Sequence, residues 1–234
     1  MSAFTLTAVD GEARAGIVHT AHGDVPTPAF MPVGTRGTVK ALDMRDLAWL
    51  RPGMVLANTY HLWTAPGHEV VARAGGLHRW SGWGGNLLTD SGGYQAVSPP
   101  PVGARAVGEG GVTFVEAGFS RQLTPEAAVA VQEALAPDVM MALDQPLDYP
   151  ADCAEARAAM ERTHRWASRC RDAWSRGPTQ LWGIVQGGFE IGLRQESATA
   201  LKALELPGYA IGGLSLGEPG ELSAGLLRAC TEIL

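Results

Sequence analysis

Two aspartates in this chain sit where apolar runs end, which is where a fold can present a carboxylate to a ligand. Asp90 opens the stretch Asp90-Ser91-Gly92-Gly93-Tyr94-Gln95 directly after the apolar segment Asn86-Leu-Leu-Thr. An aspartate there can serve as acid, base or nucleophile. Ser91 lies beside it, the glycines allow unusual backbone angles and close approach of a ligand, and Tyr94 offers a ring to stack on a planar substrate. The same residues also describe a tight strand-to-helix turn with a helix cap. Asp144 ends the run Val139-Met-Met-Ala-Leu and precedes Gln145-Pro146. Its carboxylate can accept two adjacent N–H groups, such as those on the Watson–Crick edge of guanine, and it serves equally well as a helix cap or in an ion pair between loops.

Two further motifs are rich in glycine. Gly183-Ile-Val-Gln-Gly-Gly places the amide of Gln186 at a strand end, able to donate to a carbonyl such as O6 of a purine. Gly212-Gly213-Leu214-Ser215-Leu216-Gly217-Glu218 is a strand-to-helix turn whose N–H groups suit an oxygen anion or a base edge. A phosphate loop is the alternative, although the sequence contains neither G-x-x-x-x-G-K nor G-x-G-x-x-G. The six histidines show no H-x-x-x-H spacing and read as surface or capping groups, with His61 near a strand end. Cys153, Cys170 and Cys230 are an odd number without a close pair, so they draw neither a disulfide framework nor a C-x-x-C metal site. They read as reduced, partly buried thiols, and no metal ligand set is assigned. Trp63, Trp80 and Trp83 read as core or interface groups.

These residues need elements to carry them. With 234 residues, 46% of them hydrophobic and 18% charged, the chain can bury a large core, which excludes a disordered or collagen-like protein. A single domain over 1–234 is expected. The formal charge of -6 argues against a surface that holds nucleic acid through phosphate neutralisation alone, while leaving room for a local basic patch. The N-terminus lacks a basic segment followed by an apolar one, and no run approaches the roughly 18 apolar residues of a membrane span, so a cytoplasmic, membrane-free protein is expected.

Short β segments fill the first forty residues: Phe4 to Ala8, a turn at Asp10-Gly11, Ala15 to Thr20, a turn at Gly23-Asp24, and Pro28 to Val33. Strand and helix then alternate. Strands are expected at 54–58, 86–90, 139–144, 181–186 and 209–213, and a small hairpin near 108–114. Helices are expected at 42–50, from Thr124-Pro125-Glu126, at 151–175, at 191–204 and from Pro219 onward. Strands apolar throughout, separated by helices, imply parallel β/α architecture, either a barrel or a doubly wound sheet. In a barrel the ends carrying Asn58, Asp90, Asp144, Gln186 and Gly212-Gly213 would form one rim. About six parallel strands can be counted, and an eight-stranded barrel would need two more after Leu234.

Taken in order, Asn58-Thr-Tyr-His-Leu-Trp, Asp90-Ser-Gly-Gly-Tyr-Gln, Gly183-Ile-Val-Gln-Gly-Gly and Gly212-Gly-Leu-Ser-Leu-Gly-Glu resemble the tRNA-guanine transglycosylase family, particularly its bacterial queuine-pathway branch. MPVGTRGTVK and Asp144 with Tyr149-Pro150 add to the likeness, which runs from about Asp10 to the end. The resemblance implies a (β/α)8 TIM barrel, incomplete at the C-terminus and preceded by an antiparallel β segment. It implies an enzyme that exchanges guanine at the tRNA wobble position for a 7-deazaguanine in queuosine biosynthesis. By the family motifs, Asp90 would be the general acid/base and Asp144 would read the guanine amidine edge. Gln186 and the N–H of Gly213, in the turn opened by Gly212, would hold its carbonyl oxygen, and Tyr94 next to Ser91 would stack on the ring. The Leu214 carbonyl would face the substituent at position 7, with Glu218 supporting the loop.

The likeness has departures. Gln145-Pro146 replaces an acidic residue and a cysteine common in the bacterial branch, and Leu216 stands where many members carry valine. The bulk of Leu216 favours a small base, guanine or 7-aminomethyl-7-deazaguanine, over queuine. In the family the nucleophilic aspartate, a second stacking residue and a Cys/Cys/Cys/His zinc site lie beyond the Gly-Gly-Leu loop. Accordingly no cofactor is expected in this chain, zinc is expected only in that later region, and the chain alone is expected to exchange bases poorly. A non-catalytic purine-binding partner subunit, or a truncated paralogue, is the alternative. The partners implied are tRNA and the base, with a homodimer and a heteromer both open.

Overall fold

The computed structural model describes residues 3–97, 106–116 and 119–234. The chain begins with β1 (Phe4–Asp10), β2 (Ala13–Thr20), β3 (Gly23–Thr27), α1 (Met44–Leu50), β4 (Met54–Ala57), α2 (Thr59–Thr64), α3 (His68–Arg73), α4 (Gly76–Ser81) and β5 (Asn86–Thr89). There follow α5 (Gly93–Val97), β6 (Ala106–Gly108), β7 (Gly111–Glu116), β8 (Phe119–Leu123), α6 (Pro125–Leu135), β9 (Val139–Met141) and α7 (Cys153–Ala173). The last elements are β10 (Gln180–Val185), α8 (Ile191–Lys202), β11 (Gly208–Ile211) and α9 (Gly220–Thr231). No described helix is long and apolar enough to cross a membrane. Contacts divide the chain into two compact units, one of Met1–Ser91, Val129–Met141 and Ser175–Leu181, the other of Gly92–Ala128, Ala142–Trp174 and Trp182–Leu234.

In the first unit β1, β2 and β3 form the expected antiparallel sheet, with the second turn at Ala21-His22 instead of Gly23-Asp24. The parallel strands behave as their apolar sequences require. Met54 to Ala57 pairs with Asn86 to Thr89, and Leu88 and Thr89 pair with Val139 and Met140. Strands β5 and β9 are buried along their length, as strands covered on both faces should be. Val55, Ala57, Leu62, Val71, Leu77, Leu87, Val131 and Leu135 make one core, against which Trp63 and Trp83 pack, whereas Trp80 is exposed.

The strand expected at 28–33 is reduced to a single bridge, Val33 to Leu56. Pro28 and Pro32 have no N–H to give a ladder, and what pairing survives uses the Pro32 carbonyl and the Gly34 N–H, each 3.0 Å or less from Leu56. Parallel strands therefore number five, β4, β5, β9, β10 and β11, instead of six, and they close no barrel among the described residues.

In the second unit β6, β7 and β8 extend the expected hairpin into a three-stranded antiparallel sheet. Glu109, in its first turn, ties the sheet to α7: its carboxylate accepts from Arg162 and Arg165, and its carbonyl from Trp166 Nε1 and Arg169. Helix α7 is capped by Asp152, whose side chain accepts the Ala154 and Glu155 N–H groups. It buries Ala156, Ala159, Met160, Thr163, Trp166, Ala167 and Cys170, a stripe at helical spacing. Strands β10 and β11 run parallel, from Trp182 opposite Gly208 to Val185 opposite Ile211.

Asp138 organises the first unit. Its side chain is fully buried, and its oxygens accept the Leu87 N–H at 2.8 Å, the His22 N–H at 3.0 Å and His22 Nδ1 at 2.8 Å, with His78 Nε2 at 3.3 Å. His22 and His78 stack, ring centroids 3.6 Å apart; His22 is exposed, as a surface group is expected to be, whereas His78 is only partly exposed. Their ligand atoms and the carboxylate lie within 4.8 Å of one another, spacing that a metal could use. Here His22 Nδ1 meets the carboxylate, while His78 Nε2 lies 3.1 Å from the Gly85 carbonyl as well as near the carboxylate, so the group acts as a hydrogen-bonded clasp on the start of β5.

The N–H donors around Asp138 outweigh its burial and hold its carboxyl well below the usual range. A depressed carboxyl gives stability that is complete above its unfolded pKa, near 3.9, and is lost as pH falls through the folded value. Asp138→Asn should therefore cost about 3 kcal/mol at pH 7, and this gap should shrink below about pH 4. Urea unfolding of both proteins at pH 7, 5 and 3 checks this; a gap unchanged at pH 3 would contradict it.

Candidate functional site

Asp90 belongs to the first unit, one residue past β5. Its N–H donates to the Ala57 carbonyl at 3.2 Å, which continues the strand pairing and fixes the backbone there. Its carboxylate is gripped by Asn58 Nδ2 at one oxygen and by the Thr59 N–H, 2.9 Å away, at the other. The Thr59 hydroxyl donates to the Asp90 carbonyl. Asn58 does two jobs, because its Oδ1 also accepts the His61 N–H and so caps α2. Below this pair, buried Gln132 accepts the Thr89 hydroxyl at 2.8 Å and the Met141 N–H at 3.0 Å, and its own amide donates to the Met141 carbonyl. The Asp90 carboxylate thus has one orientation set by neutral donors. Ser91 is buried beside it, and Gly92, at φ +75°, makes a turn that disfavours a side chain.

The second unit gathers most of the other predicted residues. Gln186 Nε2 donates to Asp144 Oδ2 at 2.7 Å, and the two side chains are 2% and 6% exposed. The Gln186 N–H reaches the Ser197 hydroxyl, which in turn contacts His164 Nε2 at 3.0 Å. Gly212 and Gly213 lie against the Gln186 amide: a Cβ on Gly213 would stand 2.5 Å from Gln186 Oε1, and one on Gly212 2.8 Å from Nε2. With Gly213 at φ +64°, both space and backbone require glycine there. Arg194, fully buried, donates to the carbonyls of Gly188, Val185, Gly212 and Gly213.

Around half-buried Leu214 the loop is shaped by Glu218, whose carboxylate accepts the Ser215 N–H at 2.6 Å, the Leu216 N–H at 2.8 Å and the Ser223 hydroxyl. These donors, the hydroxyl first, hold the Glu218 carboxyl at about 2. Tyr94 is 43% exposed and lines a hollow of about 240 Å³ with Pro146, Leu147, Asp148, Pro150 and Glu155.

Asp144, Gln186, Gly212 and Gly213 are therefore brought together, Leu214 and Glu218 follow on the same loop, Tyr94 lines its own hollow, and Asp90 with Ser91 sits in the other unit with Asn58 and Thr59. Thr59, Gln132, Arg194 and Ser197 escape the sequence reading. A signal existed for the last two: Leu193, Arg194, Ser197, Ala198 and Leu201 form the buried stripe of α8, and an arginine on such a stripe needs internal partners. The cysteines differ from expectation in one respect: Cys170 and Cys230 are buried, but Cys153 is exposed. Burial pushes the Cys170 thiol up to about 12, which suits a packing role. Among the described residues the grouping whose spacing a metal could use is His22, His78 and Asp138.

Structurally this is an α/β protein with a buried carboxylate–amide pair where parallel strands end. Comparison with known proteins makes the assignment specific. A family model for queuine tRNA-ribosyltransferase matches residues 10–234. The chain is 50% identical over 234 residues to a queuine tRNA-ribosyltransferase from Gloeobacter violaceus, covering 99% of this chain and 61% of that one. It is 47% identical over 233 residues to one from Herpetosiphon aurantiacus, covering 99% and 59%. Over 213 residues it is 51% identical to one from Desulforudis audaxviator, covering 90% and 57%. The chain belongs to the queuine tRNA-ribosyltransferase family, and it spans about three-fifths of the length of these curated relatives.

The Glu218 geometry makes a local prediction. In Glu218→Ala the Ser215 and Leu216 amides should exchange with solvent at least about tenfold faster than in the wild type. In the wild type their protection should persist as pH falls through the ordinary carboxylate value of 4.5 and fade only toward about 2. Protection factors that do not change with the substitution would show that Glu218 does not shape the loop.

Proposed function

We propose that this chain carries the base-recognition part of a tRNA-guanine transglycosylase, acting in the exchange of guanine at the tRNA wobble position for a 7-deazaguanine. The observation that carries the reading is the buried Asp144–Gln186 pair at 2.7 Å, packed against Gly212 and Gly213. A carboxylate and an amide in that order match guanine, which presents N1–H and 2-amino donors beside its O6 acceptor. In this reading Asp144 takes the amidine edge, Gln186 and the Gly213 N–H take O6, Tyr94 stacks on the ring next to Ser91, and the Leu214 carbonyl faces position 7. Leu216 limits the substituent to something small, so guanine and 7-aminomethyl-7-deazaguanine are favoured over queuine.

The chemistry asked of the whole enzyme is cleavage of an N-glycosidic bond, which generates an oxocarbenium-like ribose for a carboxylate to trap. Asp90 is assigned proton transfer to and from the purine, and its fixed orientation supports that role. Because the relatives are longer than the region matched here, we assign the trapping carboxylate, the zinc site and the last barrel strands to that further portion. A non-catalytic purine-binding partner subunit is the second reading, and the same buried Asp144–Gln186 pair supports it. Both place the protein in the cytoplasm, with tRNA and the free base as partners.

Calorimetric titration tests the pocket. The chain should bind guanine more tightly than hypoxanthine, which lacks the 2-amino group, and Asp144→Asn should weaken guanine binding by at least about thirtyfold while leaving the fold intact by circular dichroism. Equal affinity for the two purines, or an Asp144→Asn protein that binds guanine like the wild type, would refute the assignment.

A further inference from the structure

Arg194 is a fully buried cation whose hydrogen-bond partners, among the described residues, are all main-chain carbonyls. Nε donates to Gly188 at 2.9 Å, Nη1 to Val185 at 3.2 Å and to Gly212, and Nη2 to Gly213 at 3.1 Å. Burying a guanidinium without a carboxylate is costly, and burial disfavours its charged form. Four carbonyls from two separate turns offset that cost, and only a planar, multi-donor fork can reach them together.

The direction of these carbonyls has a consequence. In a trans peptide the C=O and the following N–H lie in one plane and point in opposite directions. With the Gly212 carbonyl drawn to Arg194, the Gly213 N–H must face away from it. With the Gly213 carbonyl drawn the same way, so must the Leu214 N–H. Among the described residues neither N–H meets an acceptor, and the Gly213 backbone lies against the Gln186 amide that donates to Asp144. Glycine at these positions would otherwise let either peptide rotate.

We propose that Arg194 is a positioning residue that locks the Gly212–Gly213 and Gly213–Leu214 peptides, so that their N–H groups are presented to the carbonyl oxygen of a bound purine. This rests on the base-pocket reading above and adds to it the group that fixes the oxygen-binding edge. Arg194 touches no substrate. Its single nitrogen in Arg194→Lys could hold one turn or the other, not both.

The test compares guanine with 6-thioguanine, which keeps the N1–H and 2-amino groups and replaces O6 by a weak sulfur acceptor. Calorimetry on the full 234-residue chain should show Arg194→Lys weakening guanine by roughly tenfold and 6-thioguanine by no more than about threefold, so that the preference for oxygen collapses. Equal weakening of both ligands would mean a purely structural role and overturn the proposal, as would a variant that binds guanine like the wild type. If Arg194→Lys fails to fold, amide spectra of the wild type decide. The Gly213 and Leu214 N–H signals should move downfield with guanine and much less with 6-thioguanine, and signals indifferent to the ligand would overturn it. Failure of the pocket reading looks different: the wild type then binds neither purine, Asp144→Asn changes nothing, and the proposal falls with it.

Discussion

A polar group that leaves water must find its hydrogen bonds inside the protein, and the placement of the candidate site follows from that constraint. Strand ends are where it presses hardest, since the ladder stops while the backbone is still buried. In the first unit Gln132 serves the ends of β5 and β9 by meeting Thr89 and both polar groups of Met141. Asp138 serves the beginning of β5 by accepting the Leu87 N–H. In the second unit Arg194 collects the carbonyls at the end of β10 and in the turn after β11, and Ser197 takes the Gln186 N–H. Chemical groups are held at strand ends because buried side chains complete the main chain there.

Much of this fold was legible along the sequence, because the signals concerned are local. Uninterrupted apolar runs located β5, β9 and β10, and Thr124-Pro125-Glu126 marked the start of α6, where the Thr124 hydroxyl accepts the Ala127 N–H. The sequence was misleading where a local signal was outweighed. Pro28 to Val33 has strand composition yet lacks the donors for a ladder, and α2, α3 and α4 are six residues each, too short to show a period between their glycines and prolines. Asp90, Asp144, Gln186 and the Gly212-Gly213 turn were visible because each ends an apolar run. Their supports were harder to read: Gln132 and Asp138 act across long sequence separations, as in His22 with Asp138 at 116 residues apart, and Arg194 left only the signal of a charge on a buried stripe.

The two aspartates are supported in ways that suit different tasks. Asp144 is 6% exposed and meets the Gln186 amide, so a ligand bound there would face little competition from water for its hydrogen bonds. In such surroundings a carboxylate left without a partner is costly. Asp90 is only half-buried, and its oxygens are fixed by an amide and a backbone N–H that carry no charge. The two residues therefore differ in burial and in partners, and each is held by groups of its own unit.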